Sequence, residues 1–322
     1  MKQDNGTNNP RSSNRVAVGV DVGGASVRLG LVTDAGNLLA GTVREFDPHC
    51  HADAATILDR FAGALAPVLD PMPAGIGIGF PGPFDYARGI CMIRGLAKYE
   101  ALYGMDVGKE LRRRLALPAH VSIRFVNDAT AFALGEALFG AARGQNRVIV
   151  LTFGTGCGSA FLVDGKVVTD GEGVPPNGWV YPLLHRGVPL DELLSRRGIL
   201  NLWAEVRSER DESGTEPAER AGEGDAFDVV DLARLARSGD AMAREVFRRF
   251  GQTAGEALAP VVLAFRPAAL VIGGKIAKSF DLFGPKLVEA LAACARPCRV
   301  LPAQDIENAA LKGAASIVFG GQ

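Results

Sequence analysis

One stretch of this sequence occurs twice, and the duplication limits the possible folds more than any other feature of the chain. The apolar run Val16–Val20 ends in Asp21-Val22-Gly23-Gly24, and a second apolar run, Val27–Val32, follows it. About 131 residues later, Val148–Phe153 runs into Gly154-Thr155-Gly156-Cys157-Gly158 and then Ser159–Val163. With Gly23 set over Gly154, Asp21 falls over Thr152, Leu31 over Leu162 and Val32 over Val163. The turns Asp34-Ala-Gly-Asn and Asp164-Gly-Lys coincide. A third strand follows each turn, Leu38–Arg44 in the first set and one beginning at Val167-Val168 in the second. A period this long marks a duplicated domain rather than a solenoid. The expected architecture is α/β, with two like domains that each offer a glycine-rich turn to a shared cleft.

The remaining elements fit that plan. Helical spacing runs through His51–Leu69, Asp106–Arg114, Ala129–Gly140, Leu232–Phe265 and Ala309–Phe319. Ile76–Phe80, Val121–Val126 and Leu270–Ile272 read as short buried strands. Ser208–Asp228 is charged and poor in apolar residues, which predicts a long solvated loop or a frayed helix end. A length of 322 residues suits two domains. The predicted division is a disordered tail over 1–14, an N-terminal domain over 15–120, and a C-terminal domain over 121–308. The last helix, within 309–322, is expected to return to the N-terminal domain.

Charge excludes some classes of function. With 35 Lys and Arg against 36 Asp and Glu, the net charge is −1. That balance argues against a nucleic-acid partner bound through phosphate neutralisation and against electrostatic membrane binding. The uncharged stretch Val148–Val163 is shorter than the ~20 apolar residues of a spanning helix. The first residues, MKQDNGTNNPRSSN, lack the apolar core of a signal peptide. The five cysteines, Cys50, Cys91, Cys157, Cys294 and Cys298, form no CxxC pair, and reduced thiols in the cytoplasm are the simplest expectation. Forty glycines in 322 residues, about 12% against a usual ~7%, point either to many turns or to backbone that approaches a ligand closely.

Four motifs carry candidate chemistry. In Asp21-Val22-Gly23-Gly24, glycines between two strands can turn backbone N–H groups toward a phosphate, and the acid before them can hold Mg²⁺ through water. A plain hairpin turn would look the same. The second copy, with Gly154, Thr155, Gly156 and Gly158, strengthens the phosphate reading, because two such turns can cradle one polyphosphate. Asn127-Asp128 ends a strand and starts a helix, so Asp128 is either a helix cap or a general base at the carboxyl end of a strand. Gly273-Gly274 after a strand is a third close-approach point, or simply a turn. Gly77-Ile-Gly79-Phe-Pro-Gly82 fits G-x-G-x-x-G but is followed by Pro83 and turn residues, so no dinucleotide site is expected.

Five segments in order resemble the ROK family of sugar kinases and sugar-responsive repressors. They are Asp21-Val-Gly-Gly, Gly79-Phe-Pro-Gly-Pro-Phe-Asp85, Val126-Asn-Asp-Ala129, Leu151-Thr-Phe-Gly-Thr-Gly156 and Leu270-Val-Ile-Gly-Gly274. The resemblance implies two ribonuclease-H-like, actin/hexokinase-type domains with an interdomain cleft. It implies ATP and Mg²⁺ at Asp21, Gly23, Gly24, Gly154, Thr155, Gly156 and Gly158, with adenosine near Gly273 and Gly274. It places a sugar at Gly82, Asn127 and Asp128, makes Asp128 the base, and suggests a homodimer.

The chain also departs from the family. The usual Gly-Glu-x-Gly-His segment reads Val174-Pro-Pro-Asn-Gly-Trp-Val-Tyr-Pro182, which sets Asn177 at the Glu and, with a one-residue slip, Tyr181 at the His. The family's cysteine cluster becomes Leu183-Leu-His-Arg-Gly-Val-Pro189, so no zinc is expected. Asp191 stands where a sugar-binding Glu is usual. Ala25-Ser26 replaces the usual Thr-Lys. Tyr99 and Tyr103 suit either stacking on a sugar face or a place in the core or an interface. The resulting expectation is an ATP-dependent hexose or hexose-derivative kinase. The alternatives are a non-catalytic sugar or nucleotide sensor and a phosphotransferase for a non-sugar.

Overall fold

The computed structural model describes residues 15–212, 227–294 and 298–320. The expected tail over 1–14 and most of the charged stretch after Ser208 lie outside them. A hairpin of β1 (Val16–Val22) and β2 (Val27–Thr33) opens the chain, and β3 (Arg44–Phe46) extends it. Next come α1 (Ala54–Leu65), β4 (Gly75–Phe80), the small ribbon of β5 (Phe84–Asp85) and β6 (Ile90–Cys91), and α2 (Val107–Arg114). β7 (Ser122–Asn127) leads into α3 (Asp128–Phe139).

The second half repeats the plan. β8 (Arg147–Phe153), β9 (Cys157–Val163) and β10 (Lys166–Val168) form its meander. A short ribbon of β11 (Leu184–His185) and β12 (Val188–Pro189) precedes α4 (Leu190–Leu193), α5 (Arg196–Glu212), α6 (Val229–Ser238) and α7 (Ala241–Phe265). β13 (Ala269–Gly273), α8 (Phe280–Cys294), β14 (Arg299–Pro302) and α9 (Ala309–Ser316) complete the chain.

The duplication is plain in the sheets, which run β3-β2-β1-β4-β7 and β10-β9-β8-β13-β14. In each, an antiparallel meander is joined to two parallel strands. β4 and β13 are buried along their whole length, as strands covered on both faces must be. The repeat differs in one detail. Val22 pairs with Val27 and Phe153 with Cys157, so the second turn is one residue shorter. The offset of 131 therefore holds for β1 and β8, and becomes 130 for β2 and β9.

Three expectations need correction. β7 pairs with β4, so the strand after residue 120 closes the first sheet and the first domain extends beyond the expected boundary. The third strand expected over Leu38–Arg44 forms only at Arg44–Phe46, because Gly41 at φ 74° breaks the run; Leu38 makes a lone bridge to Val32. The long helix expected over Leu232–Phe265 is two, parted at Gly239, which lies at φ 107°, and Asp240, which caps α7 by accepting from Ala243 N–H.

α9 packs on the first sheet. A Cβ on Gly19 or Gly77 would fall 2.0 Å from Leu311 O or 1.8 Å from Ala314 O, so these strands admit the helix only as glycine. α3 and α9 share an apolar cluster with β8, β9 and β13, which includes Val126, Phe132, Val150 and Val271. The two helices therefore join the halves, and α3 starts at the Asn127-Asp128 pair. No helix among the described residues is long and apolar enough to cross a membrane.

Candidate active site

The strand ends determine where the chemistry can lie. Asp21, near the end of β1, pairs across the ladder with Gly79 of β4. A Cβ on Gly79 would stand 3.6 Å from Asp128 Cα. The second hairpin reaches the same place, since a Cβ on Gly158 would lie 2.9 Å from the Ala129 methyl. Two carboxylates and both glycine turns therefore meet at the N-terminus of α3.

The capping question is resolved by the neighbouring residue. Asn127, not Asp128, caps α3: its Oδ1 accepts from Thr130 N–H at 3.2 Å. Its Nδ2 donates to Tyr86 Oη at 3.2 Å, and Tyr86 donates to Phe80 O. Asp128 is the first helical residue; its Oδ1 accepts from Ala129 N–H at 2.9 Å, and the Asn127 amide lies beside its carboxyl. Burial pushes the Asp128 carboxyl upward, opposed by the Ala129 N–H, the Lys98 charge and the Asn127 amide.

Asp21 is half-buried, and its carboxylate accepts no hydrogen bond among the described residues. Burial, and then the charge of Asp128, push its carboxyl from 3.8 up to about 6, against Arg28 and Lys275. The native carboxyl thus keeps its proton at pH values where the unfolded chain has released it. Stability is fullest below about pH 4 and falls as pH rises through about 6. Asp21→Asn removes that loss. Urea unfolding should show the variant about 2 kcal/mol more stable than the parent at pH 8, with no gain at pH 4. Equal stability at both pH values would mean that Asp21 is well solvated.

The glycines of the two turns are not alike. Gly23 N–H donates to Ser26 O at 3.0 Å, and a Cβ there would meet that oxygen at 2.7 Å. A Cβ on Gly156 would meet Asp191 Oδ1 at 2.6 Å. Gly273 has no room beside the Phe132 ring, and Gly274 lies at φ 79° against Phe153 backbone. Packing alone accounts for these. Gly154 is different: its φ is not positive and a Cβ on it would touch nothing within 4 Å. The fold does not require glycine there, so the space in front of it is available to a ligand. Thr155, beside it, is exposed.

Several expected contacts lie elsewhere. Asp191 accepts from Cys157 N–H at 2.8 Å and from Arg197 at 3.3 Å, so its carboxylate primarily fixes the second turn. Tyr181 joins this network only through its carbonyl, which accepts from Asp191 N–H. Its ring is exposed and lies 5.7 Å from that of Trp179. Asn177 is exposed at φ 59°, and among the described residues its side chain makes no hydrogen bond. Gly82 faces Tyr86 Oη, where a Cβ would stand 3.2 Å away. Tyr99 does not face a ligand. It is fully buried, and its Oη donates to Gly23 O at 2.5 Å. Tyr103 is exposed under the Arg94 guanidinium. Among the described residues no three His, Cys, Asp or Glu gather to hold a metal ion.

Sequence reasoning did not identify Tyr86, Lys98 or Lys275. Tyr86 orients Asn127, and the two lysines place positive charge beside Asp128 and Asp21. None belongs to a motif. Only the fold brings them to the site.

Two like halves, each lending a glycine turn to one carboxylate pair, define the actin/hexokinase-like class of phosphotransferase folds. Within that class the chain belongs to the ROK family, whose model matches residues 17–320. It is 30% identical over 316 residues to a glucokinase of Thermotoga maritima, covering 94% of this chain and 96% of that one. A crystal structure from Cytophaga hutchinsonii superposes with a TM-score of 0.78 at 26% identity, covering 94% of this chain and 99% of that chain. A ROK family glucokinase from Streptomyces griseus, solved with glucose and AMPPNP, shares the fold at 24% identity and a TM-score of 0.73, over 94% and 98% of the two chains.

Proposed function

We propose that this chain is a sugar kinase that transfers the terminal phosphoryl group of ATP to a hydroxyl of a hexose or hexose derivative, with Asp128 as general base. The observation that carries the reading is the division of labour at the start of α3. Asn127 takes the cap, which releases Asp128 from that task at the point where both glycine turns converge; Asp128 Oδ1 accepts from the adjacent Ala129 N–H. A carboxylate so placed can accept the proton of a sugar hydroxyl as its oxygen attacks phosphorus. Its upward shift brings the base nearer neutral pH, which favours proton acceptance.

The other residues position the reactants. The open face of Gly154 and the exposed Thr155 hydroxyl suit phosphate oxygens, which backbone N–H groups can reach without Cβ interference. Asp21 fits a hard cation, being a carboxylate free of other partners that can reach a hydrated ion through water. Mg²⁺, when bound, offsets the charge of the phosphate oxygens. On the sugar side, the Asn127 amide stands beside Asp128 and is oriented by Tyr86 Oη. Asn177 and Tyr181 stand in sequence where the family carries its Glu and His, and Asp191 holds the second turn, which favours a substrate other than plain glucose.

The direct test is ADP release from Mg·ATP with a panel of hexoses, N-acylhexosamines and pentoses. The expected result is sugar-dependent turnover with at least one hexose-type substrate. No turnover with any of them, with nucleotide or sugar binding retained in thermal shift, would replace the kinase by a sensor on the same fold.

A further inference from the structure

The first glycine turn, Gly23-Gly24-Ala25-Ser26, carries no cation of its own. The structure brings one to it from elsewhere in the chain. Lys98 lies across Gly24, with its Cδ 3.5 Å from the point a Cβ on that residue would occupy. The backbone that carries it is held in an uncommon form. Ala97 and Tyr99, on either side, both lie in the left-handed region, at φ 51° and 56°. Three bonds hold this shape. Ala97 N–H donates to Glu100 Oε1 at 2.9 Å, Tyr99 N–H donates to Cys50 O at 2.7 Å, and Tyr99 Oη donates to Gly23 O at 2.5 Å. The last bond ties the lysine segment to the turn itself. Such backbone costs free energy, and it clusters where function needs a fixed geometry.

Lys98 itself is not used by the fold. It is half-buried, and among the described residues its ammonium makes no hydrogen bond and no ion pair. Its charge nevertheless acts on Asp128. We propose that Lys98 is a catalytic residue whose ammonium grips the oxygens of the phosphoryl group in transit between nucleotide and acceptor. Such a cation acts most strongly where negative charge is shared between attacking and leaving oxygens. Lys98 lies against the first turn, and its charge reaches the base. This inference rests on the phosphotransfer reading above.

Lys98→Met and Lys98→Arg test it in two measurements. In the coupled ADP assay, Lys98→Met should lose about 10²-fold in kcat, with the sugar KM within about threefold of the parent, and Lys98→Arg should recover most of the loss. In calorimetry, the preference of the parent for Mg·AMPPNP over Mg·ADP should shrink roughly tenfold in Lys98→Met. Lys98→Met with kcat and preference both within about threefold of the parent overturns the proposal. So does a loss of kcat with unchanged preference and no recovery by Arg, because only a structural role would remain. Should the parent phosphorylate no sugar, the kinase reading fails by itself, and the AMPPNP and ADP comparison still decides whether Lys98 holds the terminal phosphate.

Discussion

Asp128→Asn lowers sugar-dependent turnover by roughly 10²–10⁴-fold, the range a positioned general base contributes. The substitution is close to isosteric. The amide oxygen can still accept from Ala129 N–H, and the cap on α3 belongs to Asn127, so the helix start is preserved. Nucleotide affinity should therefore stay near that of the parent, and the loss should appear in kcat. Stability moves the opposite way from activity. A carboxyl raised by burial is a cost to the folded chain at neutral pH, and the neutral amide removes it. In the parent, kcat/KM should fall on the acid side at a pH above the usual carboxylate range, because the base must be unprotonated. The charge of Asp128 raises Asp21, so the acid limb carries the titration of both carboxyls. Turnover unchanged in Asp128→Asn would remove Asp128 from the chemistry and leave it a structural acid at a helix start.

Local pattern carries the fold far in this chain because the duplicated unit is local. Alternation, glycine turns and a 3.6-residue period reveal the two meanders and most helices, while parallel pairs between distant strands, β1 with β4 and β8 with β13, complete the sheets. The placement of β7 is different. Val121–Val126 has the same apolar character whichever sheet it joins, and only its ladder with β4 decides. The site divides along the same line. Asp21, Asp128 and the two glycine turns lie in short motifs at strand ends. Lys98 and Tyr86 come from the long connection between β4 and β7, where nothing in the spacing marks them. In sequence Tyr99 suits a sugar face or the core equally, and only its complete burial shows that it belongs to the core and holds the Gly23 carbonyl. Asn127 and Asp128 both suit a cap, and neither residue type says which will accept the N–H. The backbone at the end of β7 gives that task to Asn127, at φ −62° and ψ 146°.

Glu136→Ala should destabilise the protein by about 3–5 kcal/mol, a large share of the ~5–15 kcal/mol that holds a typical domain folded. In sequence Glu136 is an ordinary helix residue. In the structure it is fully buried in α3, and its carboxylate accepts three backbone N–H groups. Oε2 takes Ala141 at 2.7 Å and Gln304 at 3.0 Å, and Oε1 takes Asp305 at 2.9 Å. Those donors belong to the chain leaving α3 and to the loop that leads into α9. One side chain therefore ties together the two helices that join the halves. Removing it leaves three donors unsatisfied in partly buried backbone, and each orphaned group costs about 1–3 kcal/mol. Glu136→Gln should cost less, because its amide oxygen still accepts two of the donors while its NH₂ confronts the third. Urea midpoints for the two variants give the comparison. The order Ala below Gln below parent is expected, with the sugar KM rising in Glu136→Gln if α3 shifts with its anchor. A loss under about 1 kcal/mol in Glu136→Ala would mean that water reaches these N–H groups and that packing of α3 on α9 holds the halves without the carboxylate.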